Sequence, residues 1–268
     1  MKKIKKNLLI GVGFFVILII VIIITKLFSP YEVTQINISN KLTSPSVHHF
    51  FGTDKFGRDI FTRIMEGGKI ALYVGVLSIF IGLLVGCSLG MYSGYMGGRI
   101  DEFIMRIIDA FMSFPGILLA LMMITAFGAG TANTIIVIGI INIPHFTRLS
   151  RGETLKEKDK NYTLSAITRG AGTFWIIKNY IFPNIRGKII IATTLSFGVS
   201  ILTEASLSYL GLGVQAPYPS WGSMLRESQI YFISSPWYAL FPGVFITLTI
   251  YSSNLLGEYF REKYNSKG

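Results

Sequence analysis

The sequence predicts an all-α membrane protein with six transmembrane helices, and three observations carry that prediction. Apolar residues make up 51% of the 268 and charged residues only 15%, against about 25% in a typical soluble domain. The apolar residues lie in blocks of roughly the length that crosses a bilayer, about 20 residues per helix. Lys and Arg collect in alternate segments between those blocks, as they do around membrane spans. A mean hydropathy of +0.54 corresponds to more apolar surface than one compact core hides.

Residues 7–25 form an almost uninterrupted apolar run behind Lys2, Lys3, Lys5 and Lys6. The run is longer than a signal-peptide core, and no small-residue cleavage site follows before Ser29-Pro30. It is therefore expected to stay as a transmembrane helix within residues 1–28. Residues 29–66 hold turn formers and no long apolar run, which makes them an external loop. A five-helix core is expected over 67–258, with spans at 69–91, 104–127, 133–147, 189–212 and 238–257. Pro115 should bend or break the second of these, and Pro144 lies near the end of the third. The polar stretch 148–188 links two spans, and 259–268 is a short tail.

Charge sets the expected orientation. With the N-terminus in the cytoplasm, the inner segments hold 18 of the 25 Lys and Arg residues, nine of them in 148–188. The outer segments hold five: Lys41, Lys55, Arg58, Arg63 and Arg226. The opposite orientation would translocate the nine-charge loop, against the positive-inside rule. Both termini are expected to be cytoplasmic.

Several functions lack their residues. The net charge of +11 is spread between apolar blocks and forms no basic face, so nucleic-acid binding is not expected. A phosphate-cradling loop needs a glycine five residues before Gly-Lys. The pairs Gly68-Lys69 and Gly187-Lys188 have Arg63 and Phe182 there, so the chain is not expected to hydrolyse ATP by that route. His48, His49, His145 and Cys87 form no metal-ligand spacing, and His48-His49 reads as plain surface. No Ser/His/Asp or HExxH pattern occurs, so no catalytic residue is assigned.

The linking stretch 148–188 is more informative. Two short helices are expected, near Tyr162–Arg169 and Thr173–Phe182, around Gly170-Ala171-Gly172, where glycine allows a tight turn. Pro183 is expected to stop the second. The residues alone admit two readings: a lever for a partner protein, or a solvated link between spans.

This stretch resembles the coupling loop of binding-protein-dependent ABC importer permeases. That signature runs E-A-A, three residues, a Gly, then about a dozen residues to a Pro. Gly170 and Pro183 match its Gly and Pro, Ala166 its second Ala, and Ala171 follows the Gly. Leu164 and Ser165 replace its Glu and first Ala. Gly52-Thr53-Asp54, Gly57-Arg58-Asp59 and Arg63 resemble the external motif of the dipeptide, oligopeptide and nickel branch. Glu204 with Leu207–Gly213, Pro219-Ser220-Trp221-Gly222, and Asn254–Glu258 with Arg261 resemble three further stretches of that branch.

The resemblance covers residues 30–262 and is to the C-type member of a permease pair. It implies a type I importer-like permease fold in a bacterial inner or plasma membrane. It also implies a homologous permease partner, two ATPase subunits and an extracytoplasmic substrate-binding protein. ATP and Mg would sit on the ATPase subunits, with no cofactor on this chain. The implied substrates are dipeptides, oligopeptides or nickel. Leu42–Ser46 with His49 looks like nickel-type members, and peptide members carry similar stretches. The alternative class is a stand-alone secondary transporter or channel, which would need ionisable residues at mid-membrane.

Individual residues carry further expectations. Asp54, Arg58, Asp59 and Arg63 are expected either to pair with one another or to meet the binding protein. Trp221 and Trp237 are expected to anchor at the membrane interface. Of the intramembrane acids, Asp109 is placed to pair with Arg106 or to snorkel, and Glu204, with no local partner, is either the candidate outer gate or a structural hydrogen bond to a neighbouring helix.

Overall fold

The long apolar runs become long helices. The computed structural model describes residues 2–265, with side chains over 7–264. The basic side chains at 2–6 and tail residues 266–268, used above for orientation, lie outside that description. Helix α1 (Lys2–Phe28) covers the first expected span and packs against the last helix of the chain.

Helix α2 (Ile60–Met96) starts seven residues before the expected loop boundary, because Asp59 caps it. The Asp59 carboxylate accepts from the Thr62 amide at 2.8 Å, satisfying an N-terminal donor that has no partner inside the helix. At 37 residues α2 is about 55 Å long, more than the ~30 Å hydrocarbon layer.

Helices α3 (Gly98–Met112) and α4 (Gly116–Phe127) meet at 89° around Pro115. The expected break is therefore real, and the span expected at 104–127 is not one straight rod. Helix α5 (Thr131–Lys158) continues through Pro144 and takes in residues 148–158 of the linking stretch.

Two short helices follow, α6 (Asn161–Thr168) and α7 (Thr173–Ile176), the first close to its expected place. Pro183 does not stop the second. A π-helical turn, Ile177–Ile181, carries the chain from α7 into α8 (Phe182–Tyr209), so Thr173–Tyr209 is one helical stretch. The wider turn lies just before the proline, where an α-helix would set the ring against a preceding carbonyl. Helices α9 (Trp221–Ser228) and α10 (Trp237–Asn265) complete the chain.

Asn7–Phe28, Ile60–Met96, Thr173–Tyr209 and Trp237–Tyr264 are each long and apolar enough to span a membrane, and the bent α3–α4 pair makes a fifth candidate. Helix α5 falls short of the sixth expected span on apolarity, because its second half carries Arg148, Arg151, Glu153, Lys156, Glu157 and Lys158. Its first half is largely buried against α2 and α8 and needs little lipid-facing surface.

The α2–α5 contact is built on glycine. Gly82, Gly86, Gly90 and Gly94, four residues apart, all face α5. Small residues at this spacing let helix backbones approach closely. Three apolar clusters follow the bundle axis. One end is centred on Ile64, Trp221 and Tyr238, the middle on Val74, Ile124 and Ile138, and the other end on Phe146, Ile176 and Ile185.

Candidate functional site

Two structured ends frame the bundle. At one, residues 29–59 fold over the start of α2 and against α9. Gly52 (φ +76°) and Gly57 (φ +71°) are in the left-handed region, and a Cβ at 57 would lie 1.7 Å from the Asn37 carbonyl oxygen. Between them Asp54, fully buried, organises the loop. Its Oδ1 accepts from the amides of Phe56 (2.8 Å) and Arg58 (3.0 Å), and its Oδ2 from Arg58 Nε (2.6 Å).

Arg63, 2% exposed, lies 3.5 Å from the same carboxylate and donates to the Val33 carbonyl at 3.0 Å. Arg58 then reaches Glu227 of α9 at 3.1 Å, and the Tyr238 hydroxyl of α10 donates to Glu227 at 2.7 Å. The expected internal pairing is thus present and ties the motif to two distant helices. Thr53 bonds Thr43 at 2.8 Å and bridges to Asp59, closing the loop.

Two expectations for this end are corrected. His49 is buried, its Nδ1 3.0 Å from Asp59 and its ring 4.6 Å from that of Tyr31; only His48 is exposed. No group of three metal-ligating side chains occurs among the described residues. Trp221 is fully buried, its Nε1 donating to the Ile64 carbonyl at 2.9 Å, and its ring lies over Gly67 and Gly68. It is a core residue, not an interface anchor. Trp237 is half-buried, its ring against Gly52.

Glu204 sits beneath this cap, fully buried in α8. Its Oε1 accepts from the Ser208 hydroxyl at 2.7 Å, and that hydroxyl accepts from the Val214 amide at 3.1 Å. A chain of bonds thus links the carboxylate to the turn ending α8. Gly222 packs so closely that a Cβ there would lie 2.0 Å from the Ala205 carbonyl oxygen, which fixes α9 on α8.

At the other end the chain makes an elbow. Gly170 takes φ +79° at the end of α6; its amide donates to the Ile167 carbonyl at 2.9 Å, and that of Ala171 to the Ala166 carbonyl at 3.1 Å. These two bonds are those of a Schellman motif, which satisfies the last carbonyls of a helix. Ala166 is buried, and Ala171 joins the same apolar cluster. Pro183 stands at the start of α8, directly after the π-helical turn.

The elbow is braced by charge. Glu153 receives Lys156 at 2.8 Å and is also bonded by Lys188 of α8. Burial raises the Glu153 pKa, but the two ammonium groups outweigh it and hold the carboxyl below its ordinary value. Glu157 receives Lys160 at 2.6 Å and the Tyr162 hydroxyl, and its carbonyl accepts from Thr163 at 2.8 Å. Arg151 bonds Asp101 of α3 with both nitrogens at 2.6 Å. Asp109 pairs with Arg148 of α5 at 2.5 Å, not with Arg106, which pairs with Glu102. Leu164, Ile167, Phe174 and Trp175 stand exposed on this braced elbow.

A bundle of long helices with an apolar elbow at one end and a folded cap at the other is the shape of a transport subunit, and comparison with known proteins decides the family. Residues 82–266 match the family described as binding-protein-dependent transport system inner membrane component. The chain belongs to that family.

The permease is 40% identical to the dipeptide transport system permease protein DppC of Alkalihalophilus pseudofirmus, over 99% of this chain and 88% of that one. It is 39% identical to the glutathione transport system permease protein GsiD of Pectobacterium atrosepticum, over 98% and 88%. With DppC of Bacillus subtilis the identity is 37%, over 99% and 84%. Among solved structures, an inward-facing MetNI methionine ABC transporter matches with a TM-score of 0.64 at 16% identity, over 77% of this chain and 96% of that one. That likeness concerns the fold. The permease is thus a multi-pass inner-membrane component of an ABC importer.

Proposed function

We propose that the chain is one of two homologous subunits that together form a path for short peptides, and that separate ATPases drive the path by pushing the elbow. The observation that carries this is the elbow itself. Four large apolar side chains, Leu164, Ile167, Phe174 and Trp175, are exposed where a Schellman turn and three ion pairs hold the backbone rigid. Exposed apolar groups on a rigid support mark a docking surface. Leu164, in place of the family's Glu, makes the contact apolar at that position. ATP and Mg belong to the ATPase subunits, and this chain is non-catalytic. The peptide assignment follows the names of the dipeptide and glutathione relatives.

In this reading both termini and the elbow are cytoplasmic, and the cap at 29–59 meets an extracytoplasmic binding protein. Six segments cross, with α3–α4 bent and residues 133–147 of α5 crossing in the interior of the bundle. Glu204 orders the outer end, joining α8 to the turn that precedes α9.

The test is Gly170→Pro in the assembled transporter. Proline cannot take a positive φ, and it removes the amide that bonds Ile167. Uptake of labelled dipeptide should vanish while the protein still inserts in the membrane. Normal uptake in that variant would refute the coupling role. Uptake of radioactive nickel but not of dipeptide would refute the substrate, and uptake by the chain reconstituted alone would refute the ATP-driven mechanism. Reporter fusions placing 150–185 outside the cell would reverse the orientation.

A further inference from the structure

At the capped end, a cleft between the end of α8 and α9 carries more positive charge than the chain neutralises. It has a volume of about 430 Å³, and its lining includes Lys55, Gly211, Gln215, Arg226 and Glu227. Four cations belong to it or stand behind it: Lys55, Arg58, Arg63 and Arg226. They face two carboxylates. Asp54 is held by Arg58 and Arg63, and Glu227 by Arg58, Tyr238 and, at 4.0 Å, Lys55. Asp59 is engaged by His49 and Thr62. With Asp59 counted, the four cations outnumber these carboxylates by one.

Arg226 is the sharpest case. It is exposed and forms no ion pair and no hydrogen bond among the described residues, and its guanidinium lies against Gly211. Gly211, at φ +85°, closes α8, and a Cβ there would lie 1.8 Å from Arg226 Nη1. The guanidinium therefore rests on the bare glycine backbone. Among the described residues no carbonyl at the end of α8 accepts from it. The Leu207 and Ser208 carbonyls accept the amides of Leu212 and Gly211, and the Gln215 side chain donates to the Gly211 and Gly213 carbonyls. A positioned guanidinium has five donors that match a planar two-oxygen acceptor.

We propose that this cleft binds the terminal carboxylate of a short peptide, held by Arg226 with the Lys55 ammonium on the same cleft. The choice of a peptide carboxylate rests on the import reading above. Charge-assisted, two-pronged bonding of this kind is the strong form of carboxylate recognition.

The test uses the whole transporter purified in lipid nanodiscs without its binding protein, and two probes that differ only at the terminus. Saturation-transfer NMR at millimolar concentration should detect N-acetyl-alanine but not N-acetyl-alaninamide. Arg226→Gln should lower the acid's signal about tenfold, with Arg226→Lys restoring part of it, because charge without the fork keeps only part of the bond. Lys55→Gln, at a side chain that already reaches solvent, is the second arm and should lower the signal about threefold.

Equal signals from acid and amide, or an acid signal unchanged in both Arg226→Gln and Lys55→Gln, would overturn the proposal. So would an absent acid signal with weakened binding-protein docking in Arg226→Gln, since the cleft would then hold a partner's acidic side chain. Acid binding in a transporter that imports no peptide would leave the site standing and remove the import reading alone.

Discussion

Gly90→Ala tests whether the α2–α5 contact depends on the absence of a single methyl group. At Gly90 a Cβ would meet Ser150 Oγ at 2.1 Å, the Thr147 carbonyl oxygen at 2.2 Å and the Arg151 amide nitrogen at 2.9 Å. Ordinary contact begins near 3.4 Å, so α5 would have to retreat by about 1.2 Å from the carbonyl. Overpacking of this kind costs about 1–3 kcal/mol, and the upper part applies because two obstacles are backbone atoms with no rotamer to change. Alanine regains about 1 kcal/mol of helix propensity, which leaves a net loss of about 2 kcal/mol.

For a chain of this size that corresponds to a fall of roughly 4–8 °C in the thermal midpoint. The assay is thermal unfolding of the purified transporter in one detergent, with Gly198→Ala as control. There the nearest atom is Ile250 Cγ2 at 3.5 Å, so the control should be neutral or slightly stabilising. Ser150→Ala removes the 2.1 Å obstacle and leaves the carbonyl, so it should restore only a minor part of the loss. A Gly90→Ala protein as stable as the wild type, or a full rescue by Ser150→Ala, would refute the reasoning. Uptake should fall as well, because α5 carries Arg151 and Glu153 to the elbow.

Asp54→Asn keeps the side-chain size but leaves Arg58 and Arg63 buried without their shared carboxylate, which should cost about 3–5 kcal/mol. Reduced folded yield and a lowered thermal midpoint would register it; unchanged stability would count against the ion cluster as the organiser of the cap. Glu153, whose folded pKa lies below its ordinary value, contributes stability that is present above the unfolded pKa, near pH 4.5, and is lost as pH falls through the lower folded one. Glu153→Gln should therefore flatten the acid limb of a stability-against-pH profile and leave stability at pH 10 little further changed than at pH 7. Glu204→Gln preserves the shape and a bond to Ser208 while removing the carboxyl group. Uptake should drop with assembly intact, and unchanged uptake would remove Glu204 from the outer gate.

Local features of the site were legible in the residues, because local chemistry encodes them. Gly170 is needed wherever a helix must end in a left-handed turn, so the elbow could be placed without knowing its neighbours. Pro115 breaks α3 from α4 for a reason contained in its own ring. Pro183 shows the limit of such reasoning. It has the same ring, but a π-helical turn upstream lets helix continue across it, and that turn is buried through Ile181 in a cluster built by α2, α5 and α8. The partner of Asp109 and the location of Trp221 were misread for a related reason. Arg106 is one turn away along the helix, while the actual partner, Arg148, is 39 residues distant. Trp221 finds its acceptor 157 residues away, at Ile64.

The sequence by itself determined the membrane class, the gathering of Lys and Arg between the apolar blocks, the positions of the turns, and the motifs that place the chain in its family. Each of these depends on composition or on residues within a few turns of one another. Only the tertiary structure decided that the glycines of α2 face α5, that Arg58 meets Glu227, and that Arg226 lies against Gly211. Those facts depend on which faces of distant helices meet. Helical periodicity sets which residues share a face, but the face it meets is chosen by the packing of the whole bundle.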